Sequence, residues 1–144
     1  MTVSPSIDDI RADFQFLDEW EDRYRYLIEL GRALPDLPAT LRTDANKVRG
    51  CASQVWLATR LESRADGETV LFFEGESDAH IVRGLVALLL SVYSGHTPSE
   101  ILATDVHAIL AGFGLREHLT PQRSNGLNSM VERIRADARG VNAS

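Results

Sequence analysis

The chain has one cysteine, Cys51, in 144 residues. A single thiol closes no internal disulfide and is too few for a structural zinc site or for most iron-sulfur ligation. Any chemistry at Cys51 is therefore single-thiol chemistry. Long apolar runs are missing as well. The most apolar stretch, residues 85–93, is too short to span a bilayer and closely follows Asp78, His80 and Arg83, so it reads as a buried helix. No repeat, low-complexity tract or Gly/Ser linker divides the sequence, which predicts one domain over 1–144.

Positive charge is in short supply. Lys and Arg number 15 against 21 Asp and Glu, giving a net charge of -6. Such a surface lacks the cationic footprint that releases counterions from phosphates, which argues against nucleic acid and anionic membranes and suits an electropositive protein partner. The start, Met1-Thr2-Val3-Ser4-Pro5-Ser6-Ile7-Asp8-Asp9, has neither the basic nor the apolar region of a secretory signal. With an unpaired thiol, this predicts a reducing cytoplasm. What is present, 44% hydrophobic and 25% charged residues, is ordinary for a globular protein able to bury a core.

Ser6 followed by Asp9 resembles a helix cap, and Ile7, Ile10 and Phe14 recur at helical spacing, so a first helix is expected over 7–16. Trp20, Tyr24, Leu27, Ile28 and Leu34 extend the pattern into a second helix that Pro35 ends. The period then changes. Residues 48–61 and 70–73, rich in β-branched and aromatic side chains and separated by Asp66-Gly67, read as a β-hairpin, with a short extra strand near 46–49. Asp78 is the expected N-cap of the apolar helix that Ser94-Gly95 closes. Thr97-Pro98-Ser99-Glu100 opens another helix, and Gly112-Phe113-Gly114 breaks the chain. After a polar loop over 120–125, Leu127, Met130, Val131, Ile134 and Ala138 mark a terminal amphipathic helix. The order is helices, hairpin, helices: an α+β fold with a small antiparallel sheet.

A free cysteine can serve simply as a small buried hydrophobe. As a nucleophile it needs help, because a thiol of pKa ~8.5 is only ~3% thiolate at pH 7. Lys47 and Arg49 are the nearest cations in sequence. Gly50, directly before the thiol, gives the backbone access to positive φ and suggests a hinge between sheltered and exposed positions. His80, His96, His107 and His118 match no zinc or HExxH spacing and fall in different expected elements. Spacing alone leaves a Cys-His hydrolase open.

Around Cys51 the residues resemble a known family, the SufE/CsdE sulfur-acceptor proteins. The core of the likeness is Val48-x-Gly50-Cys51-x-Ser53-x-Val55-Trp56. Flanking it in order stand Leu34-Pro35-x-Leu37, then Gly75-Glu76-Ser77-Asp78-Ala79 with Ile81-Val82-x-Gly84-Leu85, and His118-Leu119-Thr120-Pro121-x-Arg123-x-x-Gly126-Leu127. The resemblance spans about residues 7–138. It implies a SufE/IscU-like fold with about three strands and a persulfide relay. A pyridoxal-phosphate-dependent cysteine desulfurase of the SUF or CSD type would load sulfur onto Cys51, which would pass it to the SUF scaffold complex for iron-sulfur cluster assembly. The cofactor belongs to the desulfurase; the resemblance implies no cofactor or metal for this chain.

Gly50, Ser53 and Arg123 are the supporting residues the likeness suggests, with Arg123 expected in the loop before the last helix. Glu74, Glu76 and Asp78 are candidates for solvated caps or for a face toward a basic partner, and Trp56 for the core. The single thiol itself fits a carrier, since a cluster scaffold needs several. Two other readings stay open: a redox sensor in which Cys51 becomes a sulfenic acid, and an adaptor that needs no thiol.

Overall fold

The computed structural model describes residues 6–142 except residue 52; the segment 1–5, where most of the signal-peptide reading falls, lies outside it. Helix α1 spans Ile7–Gln15, with Ser6 and Asp9 forming a reciprocal capping box. Helix α2, Trp20–Arg32, stops two residues short of the expected Leu34. Pro35 pushes the residue before it out of helical conformation, and the helix closes early on Ala33. A short 3-10 turn, Ala39–Leu41, follows.

The hairpin consists of β1, Val55–Ser63, and β2, Thr69–Ser77, paired antiparallel from Val55 opposite Ser77 to Ser63 opposite Thr69. Gly67 adopts φ 86° in the connection, as the Asp-Gly signal requires. Among the described residues the sheet has these two strands. The expected third strand near 46–49 is reduced to a single bridge, Lys47 to Trp56, flanked by hydrogen bonds from Val48 N to Val55 O (2.8 Å) and from Leu57 N to Asn46 O (2.9 Å). The turn at Gly50 ends it. Strand β1 begins seven residues later than the 48–61 run suggested, which leaves Cys51 in a loop four residues before it, while β2 extends the 70–73 run at both ends.

Helix α3, His80–Tyr93, is the centre of the molecule and buries Ile81, Val82, Leu85, Val86, Leu88, Leu89, Val92 and Tyr93. One face packs on β2. Another meets α2 so closely that a Cβ on Gly84 would lie 2.1 Å from Leu27 O, and one on Gly31 would lie 2.7 Å from Gly84 N. Arg83 reinforces this crossing by donating to Gly31 O (2.6 Å) and Leu34 O (2.7 Å), satisfying carbonyls at the end of α2. Asp78 is not the cap of α3. Ala79 holds that position, and the Asp78 side chain is used elsewhere.

Thr97, Pro98 and Glu100 open α4, Pro98–Ala103, with a full capping box. Helices α5, Val106–Ala111, and α6, Leu115–His118, flank a turn in which Gly114 takes φ 68°. Helix α7, Pro121–Asn142, begins earlier than expected. Thr120 Oγ1 accepts from Arg123 N (3.2 Å) with proline at the first helical position, so the segment read as a polar loop forms the first turns of the helix. Among the described residues no helix is long and apolar enough to cross a membrane.

Candidate functional site

The approach to Cys51 is set by a glycine. Gly50 has φ 87°, a left-handed conformation that side chains resist, and a Cβ there would sit 2.5 Å from Ser129 Oγ on α7. The chain from Ala45 to Cys51 runs along α7: Arg133 donates to Ala45 O (2.9 Å), Gly50 abuts Ser129, and the Cys51 thiol reaches Gly126 O (3.5 Å). Gly126 is buried, and a Cβ on it would lie 3.4 Å from Cys51 Sγ. The glycine of the Gly126-Leu127 block thus makes room for the thiol.

On its other side the loop is pinned by Asp78. Its Oδ1 accepts from Gln54 N (3.0 Å), while Asp78 N donates to Gln54 O (3.3 Å). Cys51 is therefore suspended between Gly50 and the Gln54–Asp78 clamp, half-buried. Burial pushes its thiol pKa up, so the resting group is protonated at neutral pH.

The thiol opens into a cavity of about 250 Å³ formed by Cys51, Ser53, Val82, Leu85, Thr120, Gln122, Arg123, Gly126 and Met130. Of the residues singled out in sequence, Cys51, Ser53 and Arg123 meet here, and Gly50 supports them from behind. Arg123 enters from the first turn of α7. Among the described residues no carboxylate or carbonyl accepts from its guanidinium, in contrast to the ion-paired Arg60, Arg64 and Arg83. Lys47 and Arg49, the cations nearest in sequence, do not line the cavity, and Arg123 does.

Glu76 also departs from expectation. It is buried, accepts from Leu37 N (3.3 Å), and forms ion pairs with Arg83 (3.3 Å) and Arg42 (3.2 Å). It ties the Leu34-Pro35-x-Leu37 block to the hairpin and is not a solvated cap. Glu74 pairs with Arg60 (3.0 Å), and Trp56 is only half-buried. Among the described residues no three His, Cys, Asp or Glu side chains gather as a metal site. A separate apolar cavity of about 490 Å³, between the end of α2, β2 and α3, holds neither a thiol nor a basic side chain.

Sequence reasoning missed the site roles of Asp78, Gly126, Ser129, Thr120 and Gln122. For Gly126 a signal existed: a glycine inside a helical pattern marks a close approach, and here the approaching atom is sulfur.

Residues 8–138 match the family model described as SufE, Fe-S metabolism associated domain. The chain is 58% identical over 135 residues to an uncharacterized SufE-like protein of Rhizobium meliloti (strain 1021), covering 94% of this chain and 96% of that one. It is 58% identical over 134 residues to another of Rhizobium etli, covering 93% and 90% respectively. The solution structure of a hypothetical protein from Thermus thermophilus superposes with a TM-score of 0.70 at 25% identity, over 99% of this chain and all of that one.

Proposed function

This chain belongs to the SufE family of Fe-S metabolism associated proteins, and we propose that within it the chain is the sulfur acceptor and activator of a cysteine desulfurase. The observation that carries the reading is the position of Cys51: a lone thiol on the wall of a small cavity that it shares with Arg123, which has no side-chain partner among the described residues, and directly after a glycine in left-handed conformation.

The chemistry follows from thiol exchange. The desulfurase, using its own pyridoxal phosphate, holds sulfur from free cysteine as a persulfide. The Cys51 thiol loses its proton, and its sulfur attacks the terminal persulfide sulfur. A new S–S bond forms on Cys51 as the desulfurase's S–S bond breaks, and the desulfurase cysteine leaves as a thiolate that takes up the proton. No net oxidation occurs. Cys51 then carries the persulfide, with no second cysteine in the chain to expel it as a disulfide.

The raised thiol pKa gives the partner a role. In the sheltered position Cys51 is a poor nucleophile, so docking must draw it from the Gly126 contact or bring a base to it. Arg123 is suited to hold the anionic sulfur formed in the exchange. The reading places the protein in a reducing cytoplasm, delivering sulfur to the scaffold on which clusters are built.

Desulfurase turnover with free cysteine as substrate tests this. Addition of this protein should raise sulfide release under reducing conditions, and Cys51→Ser should not. Equal stimulation by Cys51→Ser would favour a thiol-independent adaptor.

A further inference from the structure

The cavity beside Cys51 has a charge character that the rest of the chain does not share. The chain carries a net charge of -6, yet none of the described residues lining this cavity is a carboxylate. Its cation is Arg123, whose guanidinium has no carboxylate or carbonyl partner among the described residues. Beside it stand Ser53, Thr120 and Gln122, each able to donate a hydrogen bond. Thr120 Oγ1 accepts from Arg123 N (3.2 Å), which leaves its hydroxyl proton for a ligand. Val82, Leu85 and Met130 supply apolar surface, against which an ionic contact is stronger than in water. At about 250 Å³ the space is smaller than the ~300–1,000 Å³ of sites for drug-sized ligands, so it suits a small ion. An arginine among neutral donors selects an anion. The thiol on the same wall selects one that has a sulfur to give.

We propose that this cavity binds a small oxyanion carrying a sulfane sulfur, thiosulfate being the simplest, and that Cys51 takes that sulfur without a desulfurase. The inference rests on the reading of Cys51 as a sulfur acceptor and gives the same site a second donor. Arg123 and Gln122 hold the oxygens of the sulfonate end, and the arginine offsets the repulsion between the bound dianion and the thiolate.

The exchange balances without an oxidant or reductant. The Cys51 thiol releases its proton to water, and its sulfur attacks the sulfane sulfur of thiosulfate. An S–S bond forms on Cys51 as the S–S bond of thiosulfate breaks, and sulfite leaves with the bonding pair and takes up a proton. No partner draws the thiol from Gly126 O, so this loading is slower than loading from a docked desulfurase. With the donor in large excess over protein, mass action carries it forward.

The full chain, reduced and then freed of reductant, is incubated with millimolar thiosulfate in the absence of desulfurase, and its intact mass is followed. One added sulfur is expected on wild type, mapped to Cys51, with one sulfite released for each sulfur gained, and none on Cys51→Ser. Sulfate, an anion of like shape and charge with no sulfane sulfur, should slow the loading. Arg123→Ala should slow it about ten-fold or more beyond any change in alkylation by iodoacetamide, a neutral reagent that senses the thiolate but not the anion site. Gln122→Glu sets a carboxylate in the cavity at a helix position that tolerates acids, and should do the same. Wild type that gains no sulfur from thiosulfate but is loaded by a desulfurase would overturn this inference and leave the desulfurase reading standing. Loading by thiosulfate and not by a desulfurase would do the reverse. Variants slowed equally toward thiosulfate and iodoacetamide, or a loading rate indifferent to sulfate, would remove the anion site and the inference with it.

Discussion

The Cys51 thiol lies 3.5 Å from the carbonyl oxygen of Gly126, a residue 75 positions away in sequence. The reactive group is thus stored against the second turn of α7, and its reactivity depends on how firmly the loop holds it there.

Gly50→Ala forces a side chain into φ 87° and against Ser129 Oγ. It should destabilise the fold by about 1–2 kcal/mol in urea unfolding. The loop should also shift, so that Cys51 reacts faster with a thiol reagent. Unchanged stability and unchanged labelling would remove Gly50 from the site.

Asp78→Ala deletes the acceptor of Gln54 N and frees the other end of the loop. Labelling of Cys51 should accelerate severalfold, with a stability loss of about 1–2 kcal/mol. Asp78→Asn keeps an acceptor oxygen and should lie between the two.

The pH dependence of Cys51 alkylation should have its midpoint above the ordinary thiol value of ~8.5, because burial raises the pKa. The sign for stability follows. The folded state holds the thiol proton more tightly than the unfolded chain, so this contribution is complete below the unfolded pKa and is lost as pH rises through the folded one. Wild type should therefore lose stability at alkaline pH relative to Cys51→Ala.

Arg123→Ala should leave the melting temperature nearly unchanged, since the guanidinium has no carboxylate partner among the described residues. Sulfur loading should slow about ten-fold or more. The loss belongs in the maximal rate if Arg123 stabilises the transferring sulfur and in KM if it only docks the partner. Arg123→Lys keeps charge without the planar fork and should recover part of the rate.

Gly84→Ala, at the crossing of α2 and α3, tests the scaffold. A Cβ there meets Leu27 O at 2.1 Å, and both atoms belong to rigid helices. A cost of about 3 kcal/mol or more is expected in urea unfolding.

Much of this is legible in the residues. Helical periodicity, the Ser6 and Thr97 caps and the Asp66-Gly67 turn depend on neighbouring residues, and the structure places them as expected. The α+β order follows, and so does the positive φ of Gly50. What escapes is tertiary. Asp78 has the chemistry of a cap, and only the fold decides that it clamps Gln54 instead of opening α3. Glu76 looks solvated until α3 brings Arg83 against it. Arg123 reads as a loop residue because the polar residues around it obscure a Thr-Pro helix start. Lys47 and Arg49 stand nearer to Cys51 in sequence, but distance along the chain is no measure of distance to a thiol.

The most direct test of the central claim is the intact mass of this protein after incubation with a cysteine desulfurase, pyridoxal phosphate and free cysteine. The account predicts added mass equal to one or more sulfur atoms on wild type, located on Cys51 by peptide mapping and reversed by a reductant, with none on Cys51→Ser. A wild-type mass that stays unchanged while the desulfurase itself carries persulfide would contradict it.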